Sequence, residues 1–347
     1  MTEELPPDLA ARLKRRGGSA TIYDIAELAG VNPSTVSRAL SKPGRISVKT
    51  EARIRAAAER LDFRFNPMAR ALPTGRSQTL GLVVADITNP VIFGIVRGAE
   101  HTATAAGYTL VIAESQESGE AEAEVISRLV PSVDGVILAT TRLADEKISD
   151  LAERKPVVLI NRAVDGVPGV LPNVEMGVEE MMTHLDGLGH KSLLFLSGPE
   201  SSWVSRQRWE LMLDGAENRG LALVEVGPNQ PTIEGGQIAL RRVVASRATA
   251  VIAFNDLMAI GLIQAASAVG IRVPEDLSIM GFDDIFGSEL IVPALTTVRA
   301  QLELAGERAV QKLLAQLGHN ADQVDDELLA TNLIIRGSTG AAPETAV

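Results

Sequence analysis

The sequence predicts an α/β protein: a small all-α N-terminal domain containing a helix-turn-helix, joined to a doubly wound α/β core in two lobes. Three observations predict it. Residues 19–63 carry three short runs of helical periodicity. From Thr79 onward, apolar runs of strand length alternate with amphipathic helical stretches; helical crossovers make the sheet parallel, and its strands, buried on both faces, read as continuous apolar runs. This alternating block is about 270 residues long, large for one sheet, which points to two α/β subdomains. At roughly 150 residues per domain, a chain of 347 residues holds two or three.

In order along the chain, residues 1–18 read as a flexible tail, with Pro6-Pro7, the basic triplet Lys14-Arg15-Arg16 and then Gly17-Gly18. The triplet either touches phosphates or is simply solvated. The domain 19–63 follows. Its first helix runs about Ile22 to Ala29, with Ile22, Ile25, Ala26 and Ala29 on one face, and Gly30 suits a left-handed stop. The second starts at Asn32-Pro33, a cap followed by a proline at the first helical position, and reaches about Leu40. The third opens after the cap Ser47 and aligns Ile54, Ala57, Ala58 and Leu61. Ala26, Val31, Val36 and Leu40 have the size to pack the first two helices at a steep angle, leaving Pro33, Ser34, Ser37 and Arg38 outward. Such a helix fits a DNA major groove with its first residues at base edges. A small helical bundle without DNA would share the trihelical pattern.

Residues 64–76 repeat the Asn-Pro start at Asn66-Pro67, but only about six residues follow before Pro73 and Gly75. A helix so short is unstable alone. The segment is a linker, or it folds on DNA. The core domain spans 77–340, and 341–347 is a C-terminal tail. Its expected strands are 80–85, 108–113, 135–139, 156–160, 192–196, 250–254 and 277–282, with helical stretches such as 91–106, 120–130, 204–219, 233–245 and 256–269. No leucine heptad follows the last strand, which argues against a tetramer through a terminal coiled coil.

Composition excludes several classes. Hydrophobic residues at 46% supply sizeable cores, and 22% charged residues argue against global disorder. The absence of cysteine removes disulfides, thiolate catalysis and Cys-ligated metal centres. No metal site and no cofactor is expected. No apolar run approaches the ~20 residues of a spanning helix, and the first residues lack the apolar stretch of a signal peptide; the expectation is a soluble cytoplasmic protein with no membrane partner. The net charge of −11 hides an asymmetry. Residues 1–76 hold 14 Lys/Arg and 8 Asp/Glu, net +6, while residues 77–347 hold 19 and 36, net −17. A basic head on an acidic body is a nucleic-acid pattern or an accident of surface composition.

Polar residues recur just after the expected strands: Asp86 and Asn89, Asn161-Arg162, Trp203 with Arg206 and Arg208, Asn255-Asp256, and Asp283-Asp284. Ligands of open parallel sheets sit beyond the carboxyl ends of the strands, so two facing lobes would hold a cleft there. Asp, Asn and Arg bond vicinal hydroxyls, and an aromatic face covers the C–H side of a sugar ring. Taken singly, Asn89 and Asn255 also read as helix caps. Phosphate-binding glycine loops and nucleophile elbows are missing, so the chain reads as a binding protein and not an enzyme.

TIYDIAELAGVNPSTVSRAL, continuing through SVKTEARIRAAAERLDFRFNPMARAL, resembles the DNA-binding motif of LacI/GalR-type bacterial regulators. The likeness extends through GLVVADITNP, LGHKSLLFLSGP, FNDLMAIGLIQAASAVGIRVPEDLSIMGFDDI and PALTTV, covering about residues 20–336. It implies a two-lobed, type I periplasmic-binding-protein-like core with crossing connections, homodimerisation, double-stranded operator DNA as partner and a small-molecule effector. Position by position, it implies DNA contacts from Thr21, Tyr23, Pro33, Ser34, Thr35, Ser37 and Arg38, with Arg38 pairing to guanine, and from the hinge residues Asn66, Ala69, Arg70 and Leu72, where Leu72 wedges the minor groove. It places effector contacts at Asp86, Asn89, Phe93, Asn161, Trp203, Arg208, Asn255 and Asp283. Asn173 stands where family members often carry an acid. The function implied is a ligand-responsive transcriptional repressor released from a palindromic operator by a sugar or sugar-derivative inducer. The alternatives are a purine-like corepressor, or a solute-binding protein without DNA.

Overall fold

Helices and strands fall where the periodicity changes. The computed structural model describes residues 5–17, 20–41, 45–63, 76–319 and 327–344. Met1–Gly75 and Arg76–Val347 form two separate units.

The described residues of the first unit form helices α1 (Pro7–Arg15), α2 (Ile22–Ala29), α3 (Pro33–Ser41) and α4 (Val48–Arg60). Gly30 ends α2 at φ 61°, a left-handed conformation that costs glycine nothing. The Ser47 hydroxyl accepts the Thr50 N–H at 3.3 Å and starts α4. Ile25, Ala26, Val36, Ala39, Ile54 and Leu61 make the core, with Val31 and Leu40 packed against it. The reading of residues 1–18 as a flexible tail is corrected over Pro7–Arg15. Pro7 occupies the first helical position, where no N–H is needed. Leu9 and Leu13, one turn apart, enter the same core. Arg12 pairs with Glu27, and Arg16 pairs with Asp24 at 3.0 Å.

The second unit has two sheets. The first comprises β1 (Thr79–Val84), β2 (Thr109–Glu114), β3 (Gly135–Ala139), β4 (Val157–Ile160) and β5 (Gly169–Val170), ordered β2-β1-β3-β4-β5 and parallel throughout. Helices α5 (Val91–Ala105), α6 (Gly119–Leu129) and α7 (Asp145–Ala152) join them. The second sheet comprises β6 (Ser192–Leu196), β7 (Ala222–Val226), β8 (Ala250–Ala253), β9 (Ser278–Asp283), β10 (Thr296–Arg299) and β11 (Asn332–Ile334), ordered β11-β10-β9-β8-β6-β7. Only the β10–β11 pair is antiparallel among its described pairings. Around it lie α8 (Val174–Gly187), α9 (Trp203–Arg219), α10 (Ile233–Ser246) and α11 (Asp256–Ala268). The helix α12 (Leu302–Gln316) leaves the second lobe and buries Ala305, Ala309, Val310 and Leu313 in the core of the first.

The chain therefore passes between the lobes repeatedly, and the passages are stitched together. Asn173 N–H donates to the Leu329 carbonyl at 2.7 Å and Leu329 N–H to Leu171 at 2.9 Å. The Thr331 hydroxyl donates to the Asn173 carbonyl at 2.7 Å. Asn173 also caps α8, its Oδ1 accepting the Met176 N–H at 3.1 Å.

The segment after β11 is fixed to the second lobe through two histidines. His190 has no exposed surface; it bonds Thr249 at 2.9 Å, and Ser278 and the Gly340 carbonyl at 3.1 Å each. His184 bonds Thr339 at 2.9 Å. Ala342 N–H reaches the Leu188 carbonyl at 2.9 Å, so the region expected as a tail from 341 is anchored at its start. Burial holds both imidazoles below the ordinary 6.5. Between the lowered native value and 6.5 the unfolded chain binds more protons than the native one, so stability is lost as pH falls below about 6.5. Going from pH 7.5 to 5.5, the thermal midpoint of the wild-type protein is expected to fall relative to that of His190→Gln, a comparison in which contributions from all other groups cancel; a constant difference between the two proteins contradicts the buried-imidazole reading.

Candidate functional site

In the first unit, α3 exposes Ser34, Ser37 and Arg38, while Pro33 and Thr35 are half-buried at its start. Tyr23, on α2, is 68% exposed, unusual for an aromatic side chain in a small domain with a core available. Thr21 precedes α2 as its N-cap. Its N–H and hydroxyl both donate to Asp24 Oδ2, at 2.8 and 2.7 Å, fixing the start of α2. The Thr-x-x-Asp spacing was the sequence signal for this. Asn66, Ala69, Arg70 and Leu72 lie outside the described residues.

In the second unit, the carboxyl ends of the strands from both lobes face one cavity of about 50 Å³. Asp86, Asn89, Asn161, Arg208, Asn255 and Asp283 line it, six of the eight expected positions. Phe93 and Trp203 do not. Phe93 is 55% exposed on α5, and Trp203 opens α9 and packs against the core of the second lobe. Phe254 is the aromatic residue in its lining. Strand-end position alone does not separate Phe254, the residue closing the apolar run, from a core phenylalanine.

Arg208 is the centre of the arrangement. Its side chain is 11% exposed and pairs with Asp283 at 3.5 Å. It donates to the Phe254 carbonyl. Its guanidinium carbon stands 3.9 Å from the ring centroid of Phe282 and 5.4 Å from that of Phe254. The buried Nε–H has no acceptor among the described residues. Burial pushes the Asp283 carboxyl up, opposed by the Arg208 charge, and burial pulls Arg208 down. Behind them, fully buried Asp256 accepts the Ser288 and Thr297 hydroxyls at 2.6 Å and the Ile285 N–H at 3.0 Å. Burial, and after it the charge of Asp283, pushes Asp256 up to about 8. These three hydrogen bonds tie the start of α11 to the segment after β9 and to β10.

Several of the other lining groups already have partners within the protein. Asn255 Oδ1 accepts the Met258 N–H at 2.9 Å and its Nδ2 donates to Pro231 at 2.9 Å; the cap reading holds for it. Asp86 accepts the Thr88 N–H at 2.8 Å in a local turn. Sequence reading missed Glu117, Thr140 and Arg142 from the first lobe. Arg142 pairs with Glu117 at 2.6 Å and donates to the Thr140 carbonyl at 2.8 Å.

Four lining residues share a backbone feature: Glu117 (φ 59°), Thr140 (φ 54°), Asn161 (φ 58°) and Asp283 (φ 107°) are left-handed non-glycines. For β-branched Thr140 this is a true outlier. Strained residues collect where a site needs a particular direction of side chain and carbonyl. Each of the four follows or ends a strand, and together they turn the chain around the cavity rim.

Among the described residues, no cluster of three metal-ligating side chains occurs, and no helix is long and apolar enough to cross a membrane.

Comparison with known proteins places these features. Residues 21–66 match the family described as bacterial regulatory proteins, lacI family, and residues 182–339 match the periplasmic binding protein-like domain. The HTH-type transcriptional repressor CytR of Escherichia coli strain K12 is 30% identical over 342 residues, covering 96% of this chain and 100% of that one. The crystal structure of the lac repressor dimer bound to operator and the anti-inducer ONPF superposes with a TM-score of 0.82 at 26% identity, covering 93% of this chain and 100% of that one. The complex of transcriptional regulator CelR with cellobiose has a TM-score of 0.67 at 25% identity, covering 92% and 99%.

Proposed function

The chain belongs to the LacI family of bacterial regulatory proteins, and from that premise we propose that it is a cytoplasmic, homodimeric repressor released from a palindromic operator by a sugar or sugar derivative. The observation that carries the effector reading is the Arg208 Nε–H, buried in the cleft wall without an acceptor, among Asp86, Asn89 and Asn161 and beside the ring of Phe254. Fixed donors and acceptors around an aromatic face match a neutral polyhydroxy ring. The cellobiose complex of CelR supports the same class. Nothing in the cleft assigns it catalysis.

On the DNA side, α3 enters the major groove. Pro33, Ser34, Thr35 and Ser37 face the bases and backbone, and Arg38 reads guanine, worth roughly 1–3 kcal/mol of discrimination. Pro33 offers only apolar contact. Thr21 and Tyr23, at the start of α2, reach phosphates. Residues 64–76 keep the hinge role that their sequence suggests, with Asn66, Ala69, Arg70 and Leu72 in the minor groove.

The two sites communicate by population shift. A cavity of about 50 Å³ is small beside the roughly 300–1,000 Å³ of ligand pockets. The sugar therefore selects an arrangement in which the lobes stand further apart, moving about the stitched passages near Asn173 and Leu329. That arrangement disfavours operator binding.

The test is a titration of pentoses, hexoses, disaccharides, nucleosides and nucleobases into a complex with duplex selected by the protein from a random-sequence pool. A carbohydrate is expected to weaken the complex by roughly 5- to 150-fold, the range of ordinary allosteric coupling. Release by a nucleobase and by no carbohydrate, or tightening by any of them, contradicts the inducer reading.

A further inference from the structure

We infer that α1 is a working part of the DNA-binding head: Arg15 and Lys14, on the helix that precedes the family motif, grip phosphates flanking the site read by α3. The inference rests on the proposed repressor reading and extends its contact surface.

The family match begins at residue 21, so α1 is an addition to the shared motif. It is not a loosely attached one. Leu9 and Leu13 are buried in the head's core, and two arginines lock its flank to α2. Arg12 pairs with Glu27, and Arg16 pairs at 3.0 Å with Asp24. That same Asp24 oxygen holds the N–H and hydroxyl of Thr21. The carboxyl end of α1 is thereby fixed one carboxylate away from the start of α2, the end that carries exposed Tyr23.

The acids of α2 are committed to Arg12 and Arg16. Lys14 and Arg15 are exposed and take no ion-pair partner among the described residues. Residues three apart on a helix are neighbours, so Arg15 lies next to Arg12 on the side away from the leucine stripe, and Lys14 also lies on the outer face of α1. Two unpaired cations on a rigid support next to a DNA-facing helix end form a phosphate-binding rim. A solvated tail would have no reason to bury two leucines and form two ion pairs. The rival role for last-turn cations is to offset the α1 dipole, and it predicts a different result.

The experiment uses the full chain, with Lys14→Gln, Arg15→Gln and the double variant, and the duplex selected by the wild-type protein from a random pool. Affinity is measured between about 50 and 200 mM salt, and thermal midpoints alongside. Each phosphate contact contributes about 0.9 to the slope of log affinity against log salt. The slope is expected to fall by about 0.9 in Arg15→Gln and about 1.8 in the double variant, with midpoints unchanged. An unchanged slope against a steep wild-type one overturns the inference, and a lowered midpoint with unchanged slope assigns the cations to the helix dipole. A wild-type protein without salt-dependent duplex binding overturns the repressor reading itself.

Discussion

Arg208→Ala is expected to lose the effector response, with ligand affinity down at least 100-fold, while duplex binding persists. The side chain is 11% exposed and meets three groups from two strand ends: Asp283 and the Phe282 ring under the guanidinium, both of β9, and the Phe254 carbonyl after β8. Truncating one member of a buried, hydrogen-bonded charge pair costs roughly 2–5 kcal/mol, and 1.4 kcal/mol is a factor of ten. Part of that loss falls on the fold, because Asp283 is left buried without its cation. Pairing Arg208→Ala with Asp283→Asn is expected to recover thermal stability without recovering ligand binding. Calorimetric titration with the inducing sugar, beside duplex binding, gives both readings. A single variant that still responds at ordinary ligand concentrations places the effector elsewhere.

Gly98→Ala is expected to destabilise the second unit by about 3 kcal/mol or more, beyond the usual 1–3 kcal/mol of overpacking. A Cβ at Gly98 would fall on the Glu303 carbonyl oxygen and 2.8 Å from its carbon. One at Gly306 would fall on the Ile95 carbonyl across the same contact. α5 and α12 thus meet backbone to backbone, where no rotamer change relieves the clash. For a unit of this size each kcal/mol lowers the midpoint by about 2–4 °C. Gly187→Ala is the control: a Cβ there meets nothing within 4 Å. A midpoint for Gly98→Ala as high as that of the control would contradict the close approach.

The sequence reads best where burial is two-sided. β3 and β6 occupy the expected 135–139 and 192–196 because both are apolar at every inner position. β7 is an edge strand with exposed Ala222, Val224 and Glu225, so its pattern is broken. β10 buries Thr296 and Thr297, whose hydroxyls are satisfied by Thr339 and by Asp256; no local pattern announces that. α1 was hidden by its flanking prolines and glycines and by its charge, although Leu9 and Leu13 carried the helical spacing. In the cleft, Asp, Asn and Arg at strand ends were legible because topology fixes where strand ends go. Arg142 and Glu117 were not, since each depends on the other across a crossover. Phe93 and Trp203 lie outside the cavity lining, because a position near a strand end does not fix which way a helix turns its aromatic residue.

The lobe containing β1 to β5 is encoded discontinuously: its sheet ends at Val170, yet one face is closed by Ala305, Ala309, Val310 and Leu313 of α12. On the ribosome, the nascent polypeptide has completed that sheet well over a hundred residues before its missing helix is translated. Ile137, Val158 and Ile160, on the strands against which α12 packs, must wait only partly covered through that interval. Premature termination before Leu302 thus yields a sticky fragment with no self-sufficient half, and synthesis is the stage at which a cell has most to do to keep this polypeptide soluble.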